Sequence, residues 1–179
     1  MGKNGSCKSS RPANALDPHA INDSPIQPRT GQEVFQGASE LNLDGKNRLA
    51  VPTKHRDALA SGGGVVVTAH PDGCVLLYTR LAWEPIRTRV QALPSFNEQA
   101  RAWQRLLVGF AEEVELDSAG RILLSPALRK FADLQKQVML VGQGTHFELW
   151  DAEAWEQKLA AAMATASANP PPGTESFSL

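Results

Sequence analysis

The sequence predicts a mainly β fold with peripheral helices, of the α+β class, built from two copies of one unit. Three observations lead there. LDGKNRLAVP at residues 43–52 recurs as LDSAGRILLSP at 116–126, so Asp44 matches Asp117 and Arg48 matches Arg121 at an offset of 73 (117 − 44); self-similarity of this kind sets the architecture before any single motif does. Each copy then carries two apolar runs joined through glycine, the signature of a hairpin. Each hairpin is followed by a capping residue and a Trp-bearing helical stretch: CVLLYTRLAWE from Cys74 matches HFELWDAEAWE from His146 at an offset of 72, one residue having been lost between.

Residues 1–33 are rich in Asn, Pro, Ser and Asp, show no periodicity, and read as disordered. Patterned sequence starts at Val34, with Phe35 as the first large anchor, and residues 38–43 alternate as a short strand. Asp44 opens a turn whose fourth residue is Asn47; the second copy has Asp117 and Gly120 there. Asn and Gly are the residue types that tolerate a left-handed backbone, so each turn is expected to place one just before its Arg. Pro52 and Thr53 begin a helix with Leu59 inward, and Ser125 with Pro126 begins its counterpart. Gly62, Gly63 and Gly64 end the first helix and lack the context of a phosphate loop.

The hairpins follow at residues 65–69 with 74–78, and at 138–141 with 146–150; their unbroken apolarity places them in a barrel interior. Thr79 and Asp151 cap the next helices, and Pro85 is expected to bend or restart the first of them. Ser95 to Glu98 reads as a capping box before an amphipathic helix with Ala100, Trp103, Leu106 and Leu107 on one face. A last helix runs from Ala152 to about residue 166, ended by Asn169 and three prolines.

With 179 residues and 42% hydrophobic content the chain can bury a real core, and it has no apolar run of 18 that could span a membrane. Cys7 and Cys74 have no CxxC or His partner, and His19, His55, His70 and His146 show no metal spacing, so neither a disulfide framework nor a metal is expected. No nucleophile–base pair and no glycine-mouthed carboxylate pair supports an enzyme, a cofactor or a small-molecule substrate. The net charge of −1 argues against a strongly basic nucleic-acid binder. Its distribution says more: residues 34–108 hold nine Lys and Arg against six Asp and Glu, and residues 109–163 hold five against nine. A basic first copy and an acidic second suit an anionic ligand read mainly by the first copy, or head-to-tail association between chains.

The motif with chemistry is D-x-x-x-R, with Arg48 and Arg121 held at hairpin mouths. Two readings stay open: an Arg offered to an anion, or an Asp–Arg pair that merely staples the turn. Lys54, His55 and Arg56 read as a solvated helix face, with phosphate contact at the helix start as the alternative.

FQGASELNLDGKNRLAVPTKHRDAL, a hairpin ending LLY, a Trp, then LDSAGRILLSPALR, a hairpin ending ELW and a second Trp together resemble the MraZ family, over residues 34 to about 163. The resemblance implies a double-split β-barrel of two interlocked AbrB-like (SpoVT-AbrB) swapped-hairpin units. The units would be copy 1 at 34–83, linker helices at 84–109, copy 2 at 110–155, and a helix end and tail at 156–179. It further implies a nucleoid-associated regulator of the division and cell wall gene cluster, and the lack of a cysteine framework suits a reduced, cytoplasmic setting. Such a regulator would assemble as a homo-oligomeric ring and bind double-stranded DNA at repeated promoter boxes of its own operon. Carried over by position, the DNA contacts are Lys46, Arg48 and Arg121, shaped by Asp44, Asn47, Asp117 and Gly120. Copy 2 departs in having Ala119 where copy 1 has Lys46, with Glu112, Glu113 and Glu115 nearby, which leaves it as either a DNA contact or a ring contact. Val34-Phe35-Gln36-Gly37 stands where the family begins with Met-Phe, so residues 1–33 read as an extension or a start assigned too early. The alternative function is an antitoxin-like protein-binding module without specific DNA recognition.

Overall fold

The computed structural model describes residues 34–168; the expectations for residues 1–33 and for the tail beyond 168 lie outside them. Strand β1 (Ala38–Asn42) enters the first turn and leaves it as β2 (Arg48–Ala50), followed by helix α1 (Thr53–Ser61) and the hairpin β3 (Val65–Ala69) and β4 (Val75–Thr79). Helices α2 (Arg80–Gln91) and α3 (Glu98–Trp103) and a π-helical turn at Gln104–Val108 lead to the second copy. That copy repeats the order with β5 (Glu112–Val114), β6 (Arg121–Leu123), α4 (Pro126–Phe131), β7 (Gln137–Gly142), β8 (His146–Asp151) and α5 (Ala152–Ala168).

The copies interlock strand by strand. The main sheet is antiparallel with order β1-β7-β8-β4-β3-β5, and β2 pairs with β6 in a separate ribbon. Exchanging the copies maps this order onto itself reversed, and the register obeys the same exchange: Leu41 faces Val138, and its counterpart Val114 faces Val65. At the two positions where the exchange meets itself, Leu49 faces Ile122 and Leu76 faces Glu148. Each copy therefore completes the other's sheet.

Two apolar layers hold the sheet from opposite sides. Val65, Val67, Leu77, Leu140 and Leu149 share one core with Leu49 and Ile122 of the ribbon. Val66, Leu76, Tyr78, Trp83 and Trp150 form the other, with Leu107 of the π-helical turn. This corrects the reason for the unbroken apolarity of β3 and β4. Both faces of these strands are covered, one by the ribbon and α1 and the other by helices, as in any strand buried on both sides. The sheet is open at β1 and β5, and no closed barrel is present among the described residues.

Three local expectations change. Asn97, not Ser95, caps α3, its Oδ1 accepting from the Gln99 and Ala100 amides at 2.8 and 3.2 Å. The helix then widens into the π-helical turn, which shifts the buried face: Ala100 and Leu107 are buried, while Trp103 is 45% exposed. Thr68, fully buried, donates its hydroxyl to the Leu106 and Leu107 carbonyls at 3.3 and 2.8 Å, supplying partners that the widened turn needs. Of the bend or restart expected at Pro85 the restart does not occur, since α2 runs through it. The carbonyl four residues back belongs to Leu81, an exposed residue on the first turn where water can serve it.

Candidate nucleic-acid interface

The ribbon alternates with period two. Leu49 and Ile122 point into the core and are fully buried, while Arg48, Ala50, Arg121 and Leu123 point outward. Across the ribbon Arg48 faces Leu123 and Arg121 faces Ala50, so the two turns stand at opposite ends of one small face.

Both turns are built alike. Asp44 Oδ1 accepts the Lys46 and Arg48 amides at 2.8 and 3.0 Å, and Asp117 Oδ1 accepts those of Ala119 and Arg121 at 2.9 Å each. Asn47 at φ 60° and Gly120 at φ 73° are left-handed, as the motif predicts. The second carboxylate oxygen takes the side edge of the guanidinium: Asp44 Oδ2 lies 2.7 Å from both Nε and Nη2 of Arg48, and Asp117 Oδ2 lies 2.8 and 2.7 Å from those of Arg121. The staple reading is therefore realised in both copies.

It does not use up the arginines. A guanidinium has five N–H groups, and two are taken here. The terminal edge, Nη1 with the outer N–H of Nη2, makes no hydrogen bond among the described residues; Nη1 of each Arg stands at ion-pair distance, 3.8–3.9 Å, from the opposite copy's Asp, too far for a hydrogen bond. Arg48 and Arg121 are 30% and 31% exposed at their side chains, so both are partly open to solvent. Four charges thus form a neutral square with both arginines aimed outward.

The titration of the carboxylates follows from this geometry. The Arg48 amide beside Asp44, reinforced by the Lys46 amide and the Arg48 guanidinium, holds its carboxyl at about 2. Asp117 is lowered chiefly by its hydrogen bond from the Arg121 side chain, which in turn raises Arg121. Cys74 is buried and its thiol is pushed up to about 12 by burial and by the Glu148 carboxylate, which leaves it inert.

The residues carried over by sequence come together: Arg48, Arg121, Asp44 and Asp117 in the square, Asn47 and Gly120 beneath it, and Lys46 exposed on the first turn. The sequence pairs Arg56 with Arg129 at the offset of 73 but does not show that this pair braces the turns. Arg56 Nε donates to the Val51 carbonyl at 2.8 Å, and its guanidinium lies over Gly120, where a Cβ would collide with it. Arg129 Nε donates to the Leu134 carbonyl at 2.9 Å, and its Nη1 to the Asn47 side chain. Each copy's turn is braced by the other copy's Arg. Their shared offset of 73 was the available signal. His55, read with Arg56 as part of a solvated face, instead packs edge-on against Phe35 and Phe147.

Among the described residues no group of three His, Cys, Asp or Glu could hold a metal, and no helix is long and apolar enough to cross a membrane. A pocket of about 320 Å³ is lined by Asn42, Gln135, Lys136, Asp151 and Glu153.

Comparison with known proteins gives one consistent answer. Residues 34–106 and 107–172 each match the family model described as "MraZ protein, putative antitoxin-like". A protein of Methylobacillus flagellatus named Transcriptional regulator MraZ is 60% identical over 148 residues, 82% of this chain and 100% of the relative. Proteins of the same name from Aromatoleum aromaticum and Burkholderia mallei are each 53% identical, over 82% and 73% of this chain and 100% and 92% of their own lengths. With both halves of the duplication matched in tandem and whole relatives covered at such identity, the chain belongs to the MraZ family.

Proposed function

We propose that this chain is a DNA-binding transcriptional regulator, acting in the cytoplasm at the nucleoid on repeated promoter boxes of the division and cell wall gene cluster, its own operon included. The observation that carries this is the open terminal edge on two stapled arginines. That edge offers two parallel N–H donors, the pattern that pairs with O6 and N7 of guanine in the major groove. A two-stranded ribbon is an element the groove admits, and Asp44 and Asp117 hold each guanidinium in place before DNA arrives, so less freedom is lost on binding. Lys46 supplies phosphate attraction. The relatives' name, Transcriptional regulator MraZ, supports the same role.

The face of one chain offers few contacts, so useful affinity calls for several chains on several boxes, each later contact made at high effective concentration. A ring of chains meets that need, with the ribbon closing over the sheet as a double-split barrel in each. Exposed apolar side chains, Leu159 on α5 and Phe96 before α3, support such association. The same side chains also favour the second reading, an antitoxin-like protein-binding module.

A titration of the upstream region against a scrambled duplex, repeated across salt concentrations, separates the two. Preference for the upstream duplex supports the regulator. Equal, weak binding to both removes it in favour of the protein-binding module.

A further inference from the structure

The second turn lacks a lysine, since Ala119 stands where the first turn has Lys46, and the second copy is acidic overall. The structure nevertheless gives this turn a cation. Arg56 comes from the first copy, reaches across the copy boundary, and lays its guanidinium over Gly120; only the absence of a side chain there leaves the room. One hydrogen bond, Nε to the Val51 carbonyl at 2.8 Å, fixes the group, and its two terminal nitrogens have no hydrogen-bond or ion-pair partner among the described residues. The equivalent Arg129 differs. At its turn Asn47 has a side chain, which occupies that space and accepts from Arg129 Nη1, while Nε is taken by Leu134. Arg129 is engaged at both ends, and Arg56 at one.

We infer that Arg56 is a phosphate-binding residue, which serves the copy-2 turn as Lys46 serves the copy-1 turn. The two turns stand at opposite ends of the ribbon. This arrangement puts the base-reading pair Arg48 and Arg121 in the centre and one backbone-seeking cation at each end, where the phosphates bordering a groove about 12 Å wide would lie. Counted together, Lys46, Arg48, Arg56, Arg121 and Arg129 exceed Asp44 and Asp117 by three charges on a chain whose net charge is −1. The inference rests on the DNA-binding function proposed above.

The test uses the full chain with Arg56→Gln, which keeps an N–H donor in reach of the Val51 carbonyl but loses the charge, and Arg56→Lys, which keeps the charge. Affinity is measured for a labelled upstream duplex and a scrambled one over a range of KCl concentrations, with thermal melting alongside. Arg56→Gln is expected to melt as the parent does. It should bind both duplexes about eightfold more weakly per engaged chain at 0.1 M salt, with a log–log salt slope shallower by about 0.9, the loss of one phosphate contact. Arg56→Lys should regain the parental slope. An unchanged slope in Arg56→Gln, or a loss confined to the upstream duplex, overturns the assignment while leaving DNA binding intact. If the unsubstituted protein binds neither duplex, the DNA-binding function falls and this assignment with it. Should Arg56→Gln melt lower than the parent, Arg56→Lys decides. A parental slope then supports phosphate binding, and a slope reduced by about 0.9 despite the retained charge overturns it.

Discussion

Asp44 and Asp117 act on geometry more than on stability. Exposed ion pairs contribute only about 0 to 1 kcal/mol, so four half-exposed charges are a poor device for holding a fold together. They are a good one for fixing where two guanidinium edges point. The carboxyl of Asp44, lowered from 3.8 to about 2, gives a pH signature. A depressed carboxyl stabilises the folded turn fully above its unfolded value and loses that contribution as pH falls through the folded one. The turn should therefore hold unchanged above about pH 4 and loosen as pH approaches 2, read by carbon-detected NMR titration of the Asp44 carboxyl together with the Arg48 Nε resonance. A normal carboxyl midpoint with no Arg48 response would contradict the staple. At this scale the sequence was legible where one residue type has one use. Asn47 and Gly120 could be placed in left-handed turns from identity alone, whereas Arg56 looked like any basic residue on a first helical turn, because its partner, Gly120, lies 64 positions away (120 − 56).

At the level of elements, the hairpins were legible because apolar β-branched runs bounded by Gly turns leave little choice. The helical linker was not. Ser95 and Asn97 are both good caps, and nothing local decides between them; nor does the pattern of residues 98–108 announce a π-helical turn, which exists because Leu106 and Leu107 must reach different cores and offer carbonyls to Thr68. Thr68→Val removes that donor within a fully buried site, so it should lower stability by about 1–3 kcal/mol in urea unfolding despite its near-equal volume. The expected result is a lower midpoint with an unchanged slope. A neutral outcome would mean that the turn finds other partners.

Residues 34–168 are a duplication whose copies complete one sheet. The double-split barrel was an expectation of family resemblance alone, and the described residues form an open sheet with a separate ribbon; what residues could establish was the repeat, since its offset survives in the sequence, whereas pairing across copies joins residues between 45 (112 − 67) and 103 (141 − 38) positions apart. Neither copy owns a complete sheet: β1 pairs with β7, and β3 has β5 at its outer side. A fragment of residues 34–83 should therefore lack a cooperative unfolding transition by circular dichroism, while residues 34–168 melt in a single step. A folded, cooperative fragment would contradict the interlocked fold. The face this fold creates commits one edge of each Arg to an Asp, and the proposed function assigns the other edge to a base. The most direct test of that assignment is the ratio of affinities for upstream and scrambled duplexes in the parent and in Arg48→Lys, which keeps the charge but has no second edge. A ratio that collapses toward one while scrambled-duplex binding stays near parental is the predicted result; an unchanged ratio would contradict the account.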